Sequence, residues 1–392
     1  MWPLVSGVDA KRYCDPRTDT WLLFPYQPSD DGRMELIDIG AGSNEFPKAR
    51  AYLQSYRSTL EMREAKRDKD GTITGPVYDE RYYRYVYPKS LDKHSLPKLI
   101  IPRLVAHLGC IVDEEGAYYL DNVDVGGVLA AEGEDLWFLA GILNAPVADW
   151  VFRRISKPFR GDYLSANKQF IAPLPIPPAT AGQRATVAAD ARELQRLHTL
   201  RRDLLARIAR RLGTVARRAR RFSWLFAGLA EAEAREARMP AGLDAAERRA
   251  RARAAYEADL ATRCQALGAA VRPGAALDAA LADGELRFLA DGVAVLDRVF
   301  VTAGEGAFVL AQWRVVASTF EVTERTGGKK LAALLRTLAV ADNPVVVEQV
   351  VVATAELAAC EGDTGAVEAR LDELTFQLYG LTQGERGLIA AG

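Results

Sequence analysis

The sequence contains few of the residues that build disulfide or metal sites. Its 392 residues include four cysteines and three histidines, and no two cysteines form a Cys-x-x-Cys pair. This pattern excludes a disulfide scaffold and a cysteine-based zinc site, and it is typical of a reducing compartment. We therefore expect a cytoplasmic protein without a bound metal ion.

Long apolar runs and an excess of one charge are also missing. No stretch approaches the ~18 apolar residues that a membrane span needs, and Met1-Trp2-Pro3-Leu4 lacks the basic start of a signal peptide. Lysine and arginine total 51, and aspartate and glutamate total 52, so the net charge is −1. We expect no membrane partner. A uniformly basic surface is excluded, but a local basic patch is not.

The composition changes sharply near residue 180. Residues 1–178 hold most of the aromatic residues and several short runs that favour strands, whereas Ala, Arg, Glu and Leu dominate residues 183–263. The stiff segment Pro173-Leu-Pro-Ile-Pro-Pro178 predicts a boundary between them. We predict an α+β protein with a mixed domain over 1–178, a long basic helical arm over 183–263 and a small β-plus-helix module over 264–392.

Local patterns predict individual elements. A proline and a glycine at its ends predict a helix over 47–69, and apolar spacing predicts another over 135–155. Aromatic and β-branched residues predict strands over 81–87 and over Phe308-Val-Leu-Ala311. The capping-box pattern Thr382-Gln-Gly-Glu385 predicts the start of a short helix.

Basic residues gather in three parts of the chain. They alternate with tyrosines in 78–103, follow a predicted helix in 153–168, and reach twelve arginines against three acidic residues in 184–221, a local net of +9. Guanidinium groups and aromatic rings suit phosphate contact and base stacking, although tyrosines also pack in cores and a charged helix also forms a solvated face. The candidate DNA-binding residues are Arg81, Arg84, Lys89, Lys98, Arg103, Lys157, Arg160, Lys168, Arg210, Arg211, Arg217 and Arg218.

One glycine-rich segment looks like the S-adenosylmethionine-binding turn of class I methyltransferases. It reads Glu35-Leu-Ile-Asp38-Ile-Gly40-Ala-Gly42. A second strand with an acidic tip should follow within ~20 residues to hold the ribose hydroxyls, but a predicted helix occupies that place. A structural turn is the favoured interpretation, so we assign no cofactor-binding residue. The chain has no Asn-Pro-Pro-Tyr motif, P-loop or nucleophile motif, and we assign no catalytic residue.

Several blocks of the sequence follow the order found in one family. They are Gly7-Val-Asp-Ala-Lys-Arg12-Tyr13, Leu22-Leu-Phe-Pro25-Tyr26, Phe46-Pro-Lys-Ala-Arg-Ala-Tyr52-Leu53, Tyr85-Val-Tyr-Pro88-Lys89, Pro97-Lys98-Leu-Ile-Ile-Pro102, Ile142-Leu-Asn144-Ala-Pro146, Gly161-Asp-Tyr-Leu164, Leu174-Pro-Ile-Pro177 and the tail 371–385. Together they resemble the C-terminal target-recognition (specificity) region of TaqI-like and Eco57I-like adenine-N6 DNA methyltransferases, which include the type IIG restriction-modification enzymes.

This resemblance implies sequence-specific recognition of duplex DNA, in which base edges are read and the target adenine is turned out of the helix. It also implies that S-adenosylmethionine and methyl transfer belong to a catalytic methyltransferase domain or subunit, in some members joined to a nuclease. We expect no enzyme activity from this chain alone. Two alternatives stay open: a self-contained S-adenosylmethionine-dependent methyltransferase that uses Asp38, Gly40 and Gly42, and a scaffold protein whose arginine-rich helix binds an acidic partner.

Overall fold

A computed structural model divides the chain into two compact units, residues 1–199 with 366–392 and residues 200–365. No helix among the described residues is both long and apolar enough to cross a membrane. The structure describes residues 1–39, 45–63, 65–67, 69–70, 73–75, 78–159, 163–216, 220–221, 236–252, 254–255, 258, 262, 271–320, 322–323, 330–331, 333–335, 338–341 and 343–390.

Short strands alternate with helices along the chain, so the predicted α+β class is confirmed. The strands are β1 (Trp2–Val5), β2 (Trp21–Leu22), β3 (Tyr26–Pro28), β4 (Met34–Leu36), β5 (Lys66–Arg67), β6 (Ile73–Thr74), β7 (Lys98–Pro102), β8 (Leu104–Val105), β9 (Ile111–Asp113), β10 (Tyr119–Leu120), β11 (Val125–Val128), β12 (Leu164–Ser165), β13 (Arg220–Arg221), β14 (Leu277–Ala282), β15 (Glu285–Ala290), β16 (Val293–Phe300) and β17 (Ala339–Val340). The α-helices are α1 (Pro47–Ser55), α2 (Arg57–Met62), α3 (Leu136–Leu143), α4 (Pro146–Ile155), α5 (Lys168–Ile171), α6 (Ala181–Ala216), α7 (Ala303–Thr319), α8 (Pro344–Leu378) and α9 (Gln383–Ala390).

The core of the first unit is built around β7. This strand lies between β9 and β11 and is antiparallel to both. All five of its residues are buried, as expected of a central strand that is covered on both faces. Ile100 of β7 packs against Val5, Ile111 and Val125. This sheet fixes the position of the segment after β7, from which the candidate site is built.

Two helices occupy the stretch for which one helix was predicted over 135–155. The carboxylate of Asp135 caps α3 by accepting a hydrogen bond from the backbone of Trp137 at 2.7 Å. The helix ends at Leu143, and α4 begins at Pro146. Proline disfavours the helical conformation in the residue before it, and Ala145 is extended with ψ of 152°. The prediction of a single helix is therefore wrong.

The helix predicted over 47–69 is also too long. It begins at Pro47, as predicted, but a break at Tyr56 separates α1 from α2, and α2 ends at Met62. Beyond it β5 pairs with β6 in a two-stranded hairpin. Backbone groups in β5 are thus taken by β6 and do not continue the helix.

Turns replace the strand predicted over 81–87. Tyr82 and Tyr83 are both buried, and the Tyr83 hydroxyl donates a hydrogen bond to the carbonyl of Ile37 at 2.8 Å. The Tyr85 amide donates to the Tyr26 hydroxyl at 2.7 Å. These tyrosines pack inside the unit and tie the turns to β3 and β4, so they do not alternate on a sheet face.

The core of the second unit is the antiparallel meander β14–β15–β16. Both of its turns have a two-residue Asp-Gly sequence with positive φ at each residue, for example φ of 51° at Asp291 and 76° at Gly292, which is the type I′ geometry of tight hairpins. Trp313 of α7 packs edge-on against Phe288 of β15.

The strand predicted over 308–311 is wrong, because these residues lie within α7. A capping box of Thr302 and Glu305 starts this helix. The glycine-containing residues between Thr302 and residues 308–311 therefore lie at the start of the helix. The capping box predicted for Thr382 and Glu385 is confirmed. At the start of α9 the Thr382 amide donates a hydrogen bond to the Glu385 carboxylate at 2.8 Å, and the Glu385 amide donates one to the Thr382 hydroxyl.

Candidate nucleic-acid interface

One short antiparallel ladder brings three of the predicted basic residues together. β8 pairs with β12. Arg103 directly precedes β8, and its carbonyl accepts a hydrogen bond from Ala166 at 2.8 Å while its guanidinium donates to Asn167 Oδ1 at 3.2 Å. Lys157 lies on the segment that pairs with β12, and Lys168 is the first residue of α5. Both lysine side chains are exposed.

Residues 157–159 and 163–165, which follow α4, pair antiparallel as a short ribbon. The Phe159 amide donates to the Tyr163 carbonyl at 2.8 Å, and Pro158 bridges to Leu164. In this register Phe159 lies opposite Tyr163, and Lys157 follows on the same face of the ribbon because side chains alternate along a strand. Phe159 is 56 % exposed and Tyr163 is 52 % exposed. The ribbon therefore presents two aromatic rings and a lysine to solvent.

The end of α4 holds the base of the ribbon. The Ser156 hydroxyl donates to the carbonyl of Ser165 at 2.7 Å, which joins the helix end to the returning strand. Arg153 and Arg154 lie in the last turn of α4, where the helix dipole favours cations. The sequence from 153 to 168 contains five basic residues and one acidic residue, Asp162. Positive charge is therefore concentrated around the ribbon.

Lys98 does not contribute to this surface, which corrects the prediction. It is 2 % exposed, and its Nζ atom lies 2.5 Å from Asp113 Oδ2. The ammonium group also donates to the carbonyls of His94 and Leu96, at 2.8 and 3.2 Å. Such a fully bonded buried ion pair is part of the fold and is closed to a DNA phosphate.

Arg81, Arg84 and Lys89 lie on the turns of residues 78–90, where Arg81 and Lys89 are exposed. Arg84 forms an ion pair with Asp79, and this hydrogen bond lowers the pKa of the aspartate. Among the described residues no hydrogen bond or ion pair joins these three to Arg103, Lys157 or Lys168. They remain candidate phosphate contacts outside the ladder.

Many arginines between 184 and 221 are paired with acidic residues of this chain. In the first unit Arg192 lies 3.1 Å from Glu114, and in the second Arg201 lies 2.8 Å from Glu361. Further ion pairs join Arg184 with Glu134, Arg196 with Glu193, Arg202 with Asp203 and Arg207 with Glu356.

The ion pairs involve the charge on which both predictions for the helix depend. They are partly exposed, so they add little stability, but they neutralise charge that was predicted to face phosphate or an acidic partner protein. Arg210 and Arg211 are exposed on α6. The predicted residues Arg160, Arg217 and Arg218 lie outside the described residues.

The glycine-rich segment differs from a methyltransferase cofactor turn in its surroundings. β4, which leads to Asp38, pairs antiparallel with β3 in a two-stranded hairpin. A cofactor turn of this type follows a strand of a parallel sheet. Asp38 is exposed, and Gly40 and Gly42 lie outside the described residues. The described residues therefore do not support the alternative of a self-contained methyltransferase.

A partly buried polar network escaped sequence reasoning. Arg12 donates to the carbonyl of Asn144 at 3.2 Å and to Glu368 Oε1 at 2.6 Å. Hydrogen bonds from His198 and Arg12 lower the pKa of Glu368 to about 2, whereas burial raises the pKa of Asp372 to about 6. Blocks that carry the family resemblance near residues 12, 144 and 372 therefore meet in one place. Because these residues lie far apart along the chain, the order of the blocks was the one sequence feature that could have indicated their contact.

No protein-family model and no curated protein matches this sequence. Within the described part of the chain, no group of three or more His, Cys, Asp or Glu residues is arranged to hold a metal ion. Function is therefore inferred from the chemistry of the ladder and ribbon and from the family resemblance.

Proposed function

We propose that this chain recognises duplex DNA sequence-specifically for an adenine-N6 DNA methyltransferase of a restriction-modification system. A separate catalytic domain or subunit supplies the S-adenosylmethionine site and transfers the methyl group. The observation that carries this proposal is the β8–β12 ladder, which gathers Arg103, Lys157 and Lys168 beside an exposed ribbon. Basic residues from separate parts of the chain therefore lie at one ladder, which supports a basic DNA-binding surface there.

The parts of this surface suit the two tasks of DNA recognition. Lys157 and Lys168 supply phosphate contacts, which position a protein on DNA without reading its sequence. Beyond the pairing of β12 with β8, the ribbon has two strands at Phe159 and Tyr163. A two-stranded ribbon is an element that the major groove admits, and each base pair presents a distinct pattern of donors and acceptors there. Arg81, Lys89, Arg210 and Arg211 are proposed as additional phosphate contacts.

Fluorescence anisotropy with a labelled duplex of mixed sequence tests the proposal. We expect affinity to fall steeply as salt is raised from low to physiological concentration. For the variant with Lys157→Gln and Lys168→Gln, the slope of log K against log salt should become less steep by about 0.9 for each lost phosphate contact. The charge-conserving pair Lys157→Arg and Lys168→Arg should keep the parent slope.

A matched control is Lys330→Gln, which removes an exposed lysine from the second unit and should leave the slope unchanged. Absence of binding at low salt, or a flat salt response, contradicts the proposal. Selection from a pool of random duplexes tests sequence specificity. One enriched motif is expected, and the two glutamine substitutions should weaken binding to all sequences alike, because phosphate contacts carry no base information.

A further inference from the structure

Two large aromatic side chains are exposed at one place on the ribbon. Phe159 and Tyr163 are more than half exposed and lie directly opposite each other across the two strands. Phe152, at the end of the same helix–ribbon segment, is completely buried. The fold thus buries one aromatic ring in this segment and presents two others to solvent.

The surroundings of the two rings indicate what covers them. Lys157 is on the same face of the ribbon, and Arg103 and Lys168 lie at the ladder that supports it. A purely apolar partner surface would provide no counter-charge for the exposed Lys157 and Lys168. Nucleobases flanked by phosphates match both the exposed rings and the neighbouring cations, because aromatic rings stack on bases while cations contact the phosphate backbone.

We infer that Phe159 and Tyr163 stack on nucleobases at a base step that the ribbon opens in duplex DNA. This inference rests on the proposed function. Apolar or aromatic side chains that enter a duplex partly unstack one step, and the cost of unstacking is lowest where bases are already mismatched. The two rings then replace the stacking that the bases lose.

The test compares two labelled duplexes of the same mixed sequence, one fully paired and one with a central two-base mismatch. The parent chain should bind the mismatched duplex about tenfold more tightly, which is within the range that aromatic stacking on one base provides. Phe159→Ala and Tyr163→Ala should each reduce this preference severalfold. The aromatic replacements Phe159→Tyr and Tyr163→Phe should retain it.

A second readout follows the bases themselves. With 2-aminopurine beside the mismatch, binding of the parent chain should change the fluorescence of the probe, and the two alanine variants should change it much less. Lys157→Gln serves as a matched control, since it should weaken binding to both duplexes equally and preserve their ratio. Because both rings are exposed, we expect the alanine variants to unfold at the temperature of the parent chain, which circular dichroism measures.

The outcomes separate the two proposals. Salt-dependent binding with equal affinity for the two duplexes overturns the stacking role and leaves DNA recognition standing. A mismatch preference that survives both alanine substitutions also overturns it. Absence of binding to either duplex at low salt overturns the proposed function and the stacking role together.

Discussion

Asn144 pairs with both backbone groups of Cys110. Its Oδ1 atom accepts a hydrogen bond from the Cys110 amide at 2.7 Å, and its Nδ2 atom donates to the Cys110 carbonyl at 3.1 Å. Both residues are buried. A side-chain amide used in this way substitutes for a neighbouring strand. It fastens the break between α3 and α4 to the residue that precedes β9.

We expect Asn144→Ala to lower the free energy of unfolding of the first unit by about 1–3 kcal/mol, because two buried backbone groups at Cys110 lose a partner. Urea denaturation followed by circular dichroism measures the change. Asn122→Ala, at an exposed turn position, is the matched control and should change stability little. Equal effects of the two substitutions would show that the hydrogen bonds between Asn144 and Cys110 do not stabilise the fold.

Glu368 and Asp372, the acidic residues beside Arg12, should change the folding stability in opposite directions as the pH rises. The pKa of Glu368 lies at about 2, below its usual 4.5, so its contribution to stability is present above pH 4.5 and is lost as the pH falls toward 2. The pKa of Asp372 is raised by burial from 3.8 to about 6, against the effect of Arg12 and together with that of Glu368. Between these values the unfolded chain releases a proton that the folded chain keeps, so stability falls as the pH rises.

Asp372→Asn should therefore remove a destabilising effect of rising pH. The free energy of unfolding of this variant, relative to the parent, should increase between pH 4 and pH 7. Urea denaturation of both proteins at these two pH values gives the difference directly. A difference that is the same at both pH values would contradict the raised pKa of Asp372.

Lys98→Met should separate folding from DNA binding. Removing one partner of a buried ion pair leaves the carboxylate of Asp113 without its counter-charge, so the free energy of unfolding should fall by about 3–5 kcal/mol. At a temperature where the variant is folded, the salt slope of DNA binding should equal that of the parent. Thermal denaturation and fluorescence anisotropy measure the two effects. A less steep slope would return Lys98 to the DNA-binding surface.

Sequence patterns correctly predicted those elements that depend on residues close together in the chain. Thr382 and Glu385 lie three residues apart, and their capping box is as predicted. The run of Ala, Arg, Glu and Leu predicts a helical arm over 183–263, and α6 confirms a long helix over Ala181–Ala216. The predicted arm is too long, because Arg220 and Arg221 pair with β17 as the strand β13. Apolar residues continue at helical spacing on both sides of Pro146, so this spacing predicts one helix through the break that the proline causes.

Contacts between distant residues explain the errors at the candidate site. The local sequence predicts Lys98 as a surface cation, but the register of β7 with β9 places it opposite Asp113. The charge of the α6 arginines was counted over neighbouring residues, and partners such as Glu361 lie far along the chain. For the ribbon a local signal existed, because Phe159 and Tyr163 are placed symmetrically about Gly161 in the sequence.

Methyl transfer is expected to require a second component. The chain contains no Asn-Pro-Pro-Tyr sequence, and in the family it resembles that loop binds the amino group of the flipped adenine. Without such a loop the nitrogen is not held in line with the methyl group, and positioning supplies a large part of the rate enhancement in reactions of this kind. The purified chain alone should therefore neither bind S-adenosylmethionine nor methylate DNA.

The assay is transfer of a tritiated methyl group to mixed-sequence duplex DNA, with and without a catalytic domain that carries Asn-Pro-Pro-Tyr. Activity should appear only when that domain is supplied in trans or by fusion, and Lys157→Gln with Lys168→Gln should lower it through weaker DNA binding. Asp38→Ala should have no effect, because β4 leads to Asp38 from an antiparallel hairpin. Robust transfer by this chain alone that is lost in a folded Asp38→Ala variant would instead support a self-contained methyltransferase, because binding of the cofactor would then depend on that carboxylate.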